Sequence, residues 1–283
     1  MFIIIMLMPF VWAQYASEFA DEFVLAFFGK AVPMLRWIDF WNSETTIYVN
    51  ARHTAAHHRQ IAEGIVRNVP SREARVLDYG CGRALSADLV ADACSHLYLC
   101  DGAESVRTAL VEQFGGRSDV TVIAPDDISG IPDGSIDLLV VNSVVQYLSM
   151  DELRDALKVW RRKLSAGGTL LLADIIPPGR GAIADAAALL KFAAGNGFLF
   201  AAGAGLVRTF FSDYRRLRSH LGIQMFDEAG MIELLKSCGF AAHRHFPNLG
   251  HNTGRMAFAA THSSDVKDSA NTLRWNGQEA VPI

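Results

Sequence analysis

The sequence predicts an α/β fold: a doubly wound sheet of mostly parallel strands, with an antiparallel terminal strand, a helical N-terminal cap and a helical lid insertion. Three observations predict it. From Arg75 onward, short apolar runs alternate with amphipathic stretches of helical spacing. The first run, Arg75 to Asp78, enters a Gly80-x-Gly82 turn ahead of a helix read from about Ala84, and a strand, glycine turn and helix N-terminus make a nucleotide-type cofactor site. The run after Asp137, Leu138-Leu139-Val140-Val141, is apolar throughout, as a central strand buried on both faces requires.

The chain has 283 residues, 51% of them apolar, ample for one large core with a cap. A net charge of −4 argues against a broad electrostatic grip on nucleic acid. Cys81, Cys94, Cys100 and Cys238 form no CxxC pair or metal-ligand spacing, so no metal site is expected and the thiols read as reduced. Cys81 and Cys100 read as small buried fillers.

The domain plan has a helical cap over 1–70, a main domain over 71–262 with an insertion at 180–222, and a disordered polar tail over 263–283. Met1 to Ala13 is wholly apolar, with Val11-Trp12-Ala13 resembling a cleavage site. It lacks the preceding Lys or Arg of a secretory signal and is shorter than the about 20 residues that span a bilayer. A helix docked on the protein or on a membrane surface is the first reading, a start upstream of the true one the second, a signal the third. Phe19, Phe23, Leu25, Phe27 and Phe28 give a helical pattern that Pro33 interrupts and Met34 to Ile38 resumes. Tyr48, Arg52 and His53 precede the first strand, and His57 and His58 follow one turn later on a helix running to Val66, where they read as solvated.

After the glycine turn, Ser86 to Ala93 reads as helix and Leu97 to Asp101 as the second strand. Ala103 to Phe114 is a helix whose Val106, Leu110 and Phe114 share a face, stopped by Gly115-Gly116. Val120 to Ile123 is a strand followed by Pro125-Asp126-Asp127-Ile128. Pro132-Asp133-Gly134-Ser135 turns the chain into the strand beginning near Asp137, and Asn142 to Tyr147 falls at that strand's C-terminal end, where open α/β sheets bind ligands. Ser149-x-x-Glu152 is a capping box for a helix with Leu153, Leu157, Trp160 and Leu164 on one face. Ala166-Gly167-Gly168 ends it, and Thr169 to Asp174 is the fifth strand.

The insertion is apolar and uncharged from Phe192 to Val207, with Gly195, Gly197, Gly203 and Gly205 weakening it as one continuous helix. A lid over a pocket is its expected use, and Arg208, Arg215, Arg216, Arg218 and His220 form a basic cluster behind it. Phe226 to Cys238 is an amphipathic helix, and Ala241 to Phe246 with Met256 to Thr261 form the terminal strand pair. The loop between them carries His251 and Arg255.

The Asp78-x-Gly80-x-Gly82 turn, Asp101 after the next strand and the Asp133-Gly134-Ser135 turn together resemble the class I S-adenosylmethionine-dependent methyltransferases, over roughly Arg75 to His262. The resemblance implies a Rossmann-like sheet and S-adenosylmethionine as cofactor. It implies that Gly80 and Gly82 lie against the methionine part, that Asp78 helps hold the ammonium group and that Asp101 accepts from both ribose hydroxyls. It further places Asp126 or Asp127 on the adenine amino group, Asp127 preferred because Ile128 then covers the ring; a helix-capping carboxylate competes for the same residue. Tyr48, Arg52 and His53 are candidates to close over the cofactor, with Asn142 at its strand end beside it. Gln146 and Tyr147 are expected on the acceptor side.

Methyl transfer to a small or lipid-like, apolar acceptor is the leading expectation. His53, Tyr147, Asp174 and His251 are the groups available as catalytic base. A cytoplasmic location follows from the cofactor, with peripheral membrane contact through the apolar segments; pairing of those segments in a homodimer is the competing use. An NAD-linked oxidoreductase is disfavoured because Leu85 stands where the dinucleotide fingerprint needs a third glycine. A non-catalytic membrane-peripheral binding protein on the same fold is the alternative of another class.

Overall fold

The computed structural model describes residues 48–179, 182–210 and 222–263. The expected cap helices before Tyr48, Met1 to Ala13, most of the basic cluster and the tail after Ser263 lie outside the described residues. In chain order the described elements are α1 (Ala51–Val66), β1 (Arg75–Tyr79), α2 (Ala87–Ala91), β2 (His96–Cys100), α3 (Glu104–Phe114) and β3 (Val120–Ile123). A 3-10 turn at Pro125–Gly130 leads to β4 (Ile136–Asn142), and a second at Val145–Tyr147 leads to α4 (Met150–Lys163) and β5 (Leu164–Ile175). The insertion holds α5 (Ala182–Asn196) and α6 (Leu199–Phe210), before α7 (Glu228–Ser237), β6 (Phe240–His245) and β7 (Met256–His262).

The strands form one sheet in the order β3-β2-β1-β4-β5-β7-β6. Neighbours from β3 to β5 are parallel, whereas β7 pairs antiparallel with both β5 and β6. Alternation along the strands divides the core. Leu77, Leu139, Val141, Leu170, Leu172 and Phe258 pack on one face with Leu153, Leu157 and Trp160 of α4 and Met231 and Leu235 of α7. Val76, Leu97, Leu99, Leu138, Val140 and Leu171 pack on the other with Ala62 and Ile65 of α1, Val90 of α2 and Leu110 of α3. α1, assigned from sequence to the cap, thus contributes to the core of the sheet.

Three boundaries differ from the sequence reading. The helix after the glycine turn starts at Ala87 rather than Ala84, because Ala84 itself has φ +39° and cannot open a right-handed helix. Gly167-Gly168 does not separate α4 from β5: the strand starts at Leu164, opposite Ile136, and runs through both glycines to Ile175. Gly167 has φ +79°, and a Cβ on Gly168 would fall 2.7 Å from the Ile136 carbonyl oxygen, so the pair marks a bulge in a strand. The last helix begins at Glu228, capped by the Asp227 carboxylate accepting from Gly230 N at 2.7 Å. The insertion divides at Gly197, φ +72°, into two helices.

Lys163, 2% exposed, ties the β3–β4 connection to α4: its Nζ donates to the Ile131 carbonyl at 2.6 Å and to Asp133 Oδ1 at 2.7 Å. Replacing Lys163 with Met keeps the aliphatic stem but leaves the buried Ile131 carbonyl unpaired, at a cost of about 1–3 kcal/mol. Urea denaturation of Lys163→Met is expected to show that loss with an unchanged m value; an unaltered midpoint would refute it.

Candidate functional site

β1 and β4 are adjacent parallel strands, and from them the chain winds outward in opposite directions, so a crevice opens at their C-terminal ends. Gly80 and Gly82 occupy it with φ +72° and +58°. A Cβ on Gly80 would lie 2.2 Å from Val144 Cγ2, so the loop after β1 closes directly on the turn after β4, and only glycine fits. Above Gly82 nothing lies within 4 Å of a built Cβ, which leaves the backbone open to a ligand.

Asp101 holds this loop. Its Oδ2 accepts from Gly82 N and its Oδ1 from Ala103 N, both at 2.9 Å, while Arg107 Nη1 donates to the Asp101 and Gly102 carbonyls. Burial raises the Asp101 carboxyl, and the two amides and Arg107 work against the rise. Asp78 has no such help. It is 8% exposed, and burial first and the Asp101 charge second push it up to about 7, with no donor to offset them. Asp78, Gly80, Gly82 and Asp101 therefore form one group. A cation such as an amino-acid ammonium fits beside the unpaired Asp78 carboxylate, and the open backbone at Gly82 fits a chain lying across it.

The neighbouring strand ends carry strain of the same origin. Among the described residues, the three non-glycine positive-φ positions are Ala84, Ser143 and Asp174, and all lie just beyond or at the C-terminal ends of β1, β4 and β5. Ser143 Oγ donates to Asp174 Oδ2 at 2.8 Å, Asn142 Nδ2 donates to Ser143 Oγ at 3.3 Å, and Asp174 N donates to Asn248 Oδ1 at 2.9 Å. Burial, and to a lesser extent Asp185, raises the Asp174 carboxyl, opposed by Arg255 and by hydrogen bonding with Ser143 and Asn248. Asn142 Oδ1 is buried with no partner.

Beyond Asp174 the β6–β7 loop meets α1 and α5. His251 stacks on Phe192, ring centres 4.5 Å apart at 16°, and His53 stacks on Phe198 at 5.0 Å and 21°. His57 stands about 6 Å from both histidines, and Tyr48 lies against His53, His57 and His58. His57 and His58 are therefore not solvated, as their helical spacing suggested; both are half-buried against Tyr48, and His57 also meets His251 of the β6–β7 loop. Burial, ahead of neighbouring positive charge, lowers His57 to about 3 and His58 and His251 to about 4. Burial lifts Tyr48 to about 12. Asp185 of α5 fixes this arrangement, accepting from Asn252 Nδ2 at 2.9 Å and Arg255 Nη2 at 2.8 Å.

The other predicted residues are more dispersed. Arg52 Nη1 donates to the Gly197 carbonyl at 2.9 Å, joining α1 to the bend of the insertion. Asp127 is exposed, and its carboxylate accepts from Ala124 N at 3.2 Å, the capping geometry that competed with its ligand role. Ile128 is 7% exposed within the core. Tyr147 is half-buried in the turn after β4, next to Gln146, whose Oε1 is buried without a partner. The sequence reading gave the segment from Phe192 to Val207 as a lid and His53 and His251 as candidates, without singling out Phe192 or Phe198, and it missed Asp185 and Asn252. A cleft of about 450 Å³ lined by Pro70, Glu73, Asp137 and Ser165 lies at the opposite edge, the N-terminal ends of β1 and β4, away from the glycine loop.

Residues 77–172 match a family model described as a methyltransferase domain. Among curated proteins none matches the chain significantly. Among solved structures the chain is similar to the complex between the Haloferax volcanii Trm112 methyltransferase activator and a putative methyltransferase (TM-score 0.51, 13% identity, 82% of this chain and 99% of that one). It is also similar to a putative S-adenosyl-L-methionine-dependent methyltransferase from Methanococcus maripaludis (0.50, 13%, 84% and 98%) and to a DhpI–SAH complex (0.50, 12%, 80% and 94%). At these identities the likeness establishes the fold.

Asp78 yields a test of the cofactor site. An ammonium partner favours the ionised carboxylate, so affinity is full above a pKa of about 7 and falls as pH drops through it, by up to tenfold per unit. Calorimetric titration with S-adenosylhomocysteine is expected to show that fall in the parent protein. In Asp78→Asn, binding is expected to be at least about tenfold weaker and flat across the same range. Equal affinity in both proteins would remove Asp78 from the site.

Proposed function

We propose that the chain is an S-adenosylmethionine-dependent methyltransferase of class I, supported by the match of residues 77–172 to a methyltransferase-domain model, and that the methyl acceptor is a small or lipid-like, largely apolar molecule held at the C-terminal edge of the sheet. The observation that carries this reading is the wall of aromatic rings and neutral imidazoles between α1, the insertion and the β6–β7 loop. Such a surface suits an apolar ligand with few polar groups, whereas nucleic acid calls for a basic groove with exposed stacking residues.

When bound, S-adenosylmethionine supplies a sulfonium methyl that is electrophilic without further activation. The residues of the chain then bind and orient. Asp78 takes the ammonium group, Gly80 and Gly82 admit the backbone of the methionine part, and Asp101 reaches the ribose while pinning the loop. Asp127 exchanges its contact with Ala124 N for the adenine amino group, Ile128 backs it from the core, and Asn142 offers its unpartnered oxygen. Tyr48 and Arg52 close the N-terminal side, Arg52 through the insertion bend. Alignment and exclusion of water are the main contributions to rate, and His53, Tyr147, Asp174 and His251 are the groups in reach of an acceptor proton.

A cytoplasmic location follows from the cofactor. Among the described residues no helix is long and apolar enough to cross a membrane. On α6, Phe200 is 95% and Leu199 45% exposed, which supports peripheral contact with a membrane or with a second copy of the chain.

Release of S-adenosylhomocysteine measured across quinol, phenol, fatty-acid, RNA and protein acceptors tests the assignment. Turnover is expected with the apolar small molecules. Turnover confined to RNA or protein would overturn it.

A further inference from the structure

A cavity of about 20 Å³ lies between α1, α2 and the end of β1, and three polar side chains line it: His58, Asp78 and Ser86. Strand alternation explains why Asp78 reaches it. Leu77 and Tyr79 pack on the α4 side of the sheet and Val76 on the α1 side, so the Asp78 side chain points with Val76 towards α1 and α2. The remaining wall is apolar, with Ile61 and Ile65 of α1, Val90 of α2 and Leu97 of β2. His58 Nε2 is buried and bonds to no group of the described residues. Asp78 is buried with no donor opposing the rise of its carboxyl. Ser86 stands at the N-cap of α2, yet its hydroxyl makes no capping bond.

Resting on the assignment of Asp78 to the cofactor ammonium group, we propose that one buried water fills this cavity, bonded to Asp78, His58 and Ser86, and that His58 is thereby a positioning residue for the Asp78 carboxylate. Volume and chemistry agree on the occupant. A buried water needs about 10–15 Å³ and typically makes about three hydrogen bonds, so the space takes one molecule and its wall offers the three partners. A metal ion is a poorer fit: among the described residues no three His, Cys, Asp or Glu side chains gather to hold one.

Water suits Asp78 in both of its states. The protonated acid donates to the water oxygen, and the ionised carboxylate accepts from a water O–H. The Ser86 hydroxyl turns to give or take the bond that is left, and a neutral imidazole nitrogen does either according to its tautomer. A neutral molecule does not supply the missing positive charge, so the ligand ammonium keeps its role. What the water adds is aim. It ties the carboxylate to α1, the helix whose Arg52 and His53 meet the insertion. The charges around the pair are Asp101 beyond β2, which raises Asp78, and Arg83 of the glycine loop, which lowers His58. His57 stands beside His58 on α1, and α2 adds the Ser86 hydroxyl but no charge to the wall.

The first test is a high-resolution crystal structure of the full chain without ligand. It is expected to show one water within about 3.2 Å of both an Asp78 carboxylate oxygen and His58 Nε2. An empty cavity, or one closed by a side chain, would overturn the proposal and leave the cofactor reading standing. The second test follows S-adenosylhomocysteine affinity against pH by calorimetry. In His58→Leu the affinity well above the midpoint is expected to be about fivefold weaker. The ionised carboxylate also loses a charge-assisted bond stronger than the one the neutral acid makes, so its pKa rises. The fall in affinity is therefore expected to begin about half to one unit higher in pH. His58→Gln, whose amide can hold the same water, is expected to restore both. Weaker binding with an unmoved midpoint and no rescue would mark a merely structural role and overturn the proposal. A water in place without any S-adenosylhomocysteine binding would instead support the water site and remove the cofactor reading.

Discussion

Asp101 accepting from the backbone amides of Gly82 and Ala103 is the interaction on which the cofactor site depends. It joins the loop after β1 to the start of α3 and fixes Gly82, while Gly80 N donates to the Cys100 carbonyl at 2.7 Å, so both left-handed glycines are tied to the end of β2. Asp101 has these two amides, whereas Asp78, at the end of the adjacent strand, is buried with burial and the Asp101 charge raising it and no donor opposing them. A buried unpaired carboxylate is costly, and folding alone has two remedies: protonation, or a cation from outside. The raised Asp78 value is the first remedy in the free protein. A ligand ammonium group is the second, so the same arrangement that penalises the empty crevice favours its occupation.

The acceptor side is built on a different constraint. Ser143 and Asp174 hold left-handed backbone conformations that neither residue prefers, and each is stabilised by bonding to the other and to Asn142 and Asn248. At Asp174 the pairing of β5 with β7 shifts register between Leu172 and Ile175, and the bulge turns a residue out of the regular sheet face. The β6–β7 loop lies beside this irregular edge, and its His251 stacks on Phe192 of α5.

The sheet was legible because strands buried on both faces read as apolar runs, and those runs end where glycine or aspartate is required. Val120–Ile123 and the Ser149/Glu152 capping box coincide with the reading. The glycine loop was legible because its chemistry is local: acid, two glycines and helix lie within a dozen residues. What was not legible depends on distant packing. His57 and His58 have the spacing of a solvated helix face, and nothing near them in sequence says that His251 will stand against His57. Gly167-Gly168 has the appearance of a break, and only the pairing of Leu164 with Ile136 keeps the strand continuous through it. Asp127 carries two local uses in one side chain, and the free protein adopts the cap.

The insertion is held by polar contacts at its ends and by apolar close approach in its middle, and this division bears on how the pocket is kept dry. At one end Asp185 binds Asn252 and Arg255, and at the bend Arg52 binds the Gly197 carbonyl. Between them Ala193, Phe198 and Ala202 form a small core of their own with Val49, and a Cβ on Gly205 would lie 2.1 Å from Val49 Cγ1. The glycine lets α6 seat against the chain just ahead of α1, so the segment that carries Tyr48 and His53 cannot move without the insertion. Water is kept from the imidazoles by this joint packing rather than by α1 alone, and their lowered proton affinity is a consequence of it. The neutrality of the histidines and the closure of the insertion are therefore one property of the fold: loosening the Gly205–Val49 contact admits water, and hydrated imidazoles regain their ordinary basicity.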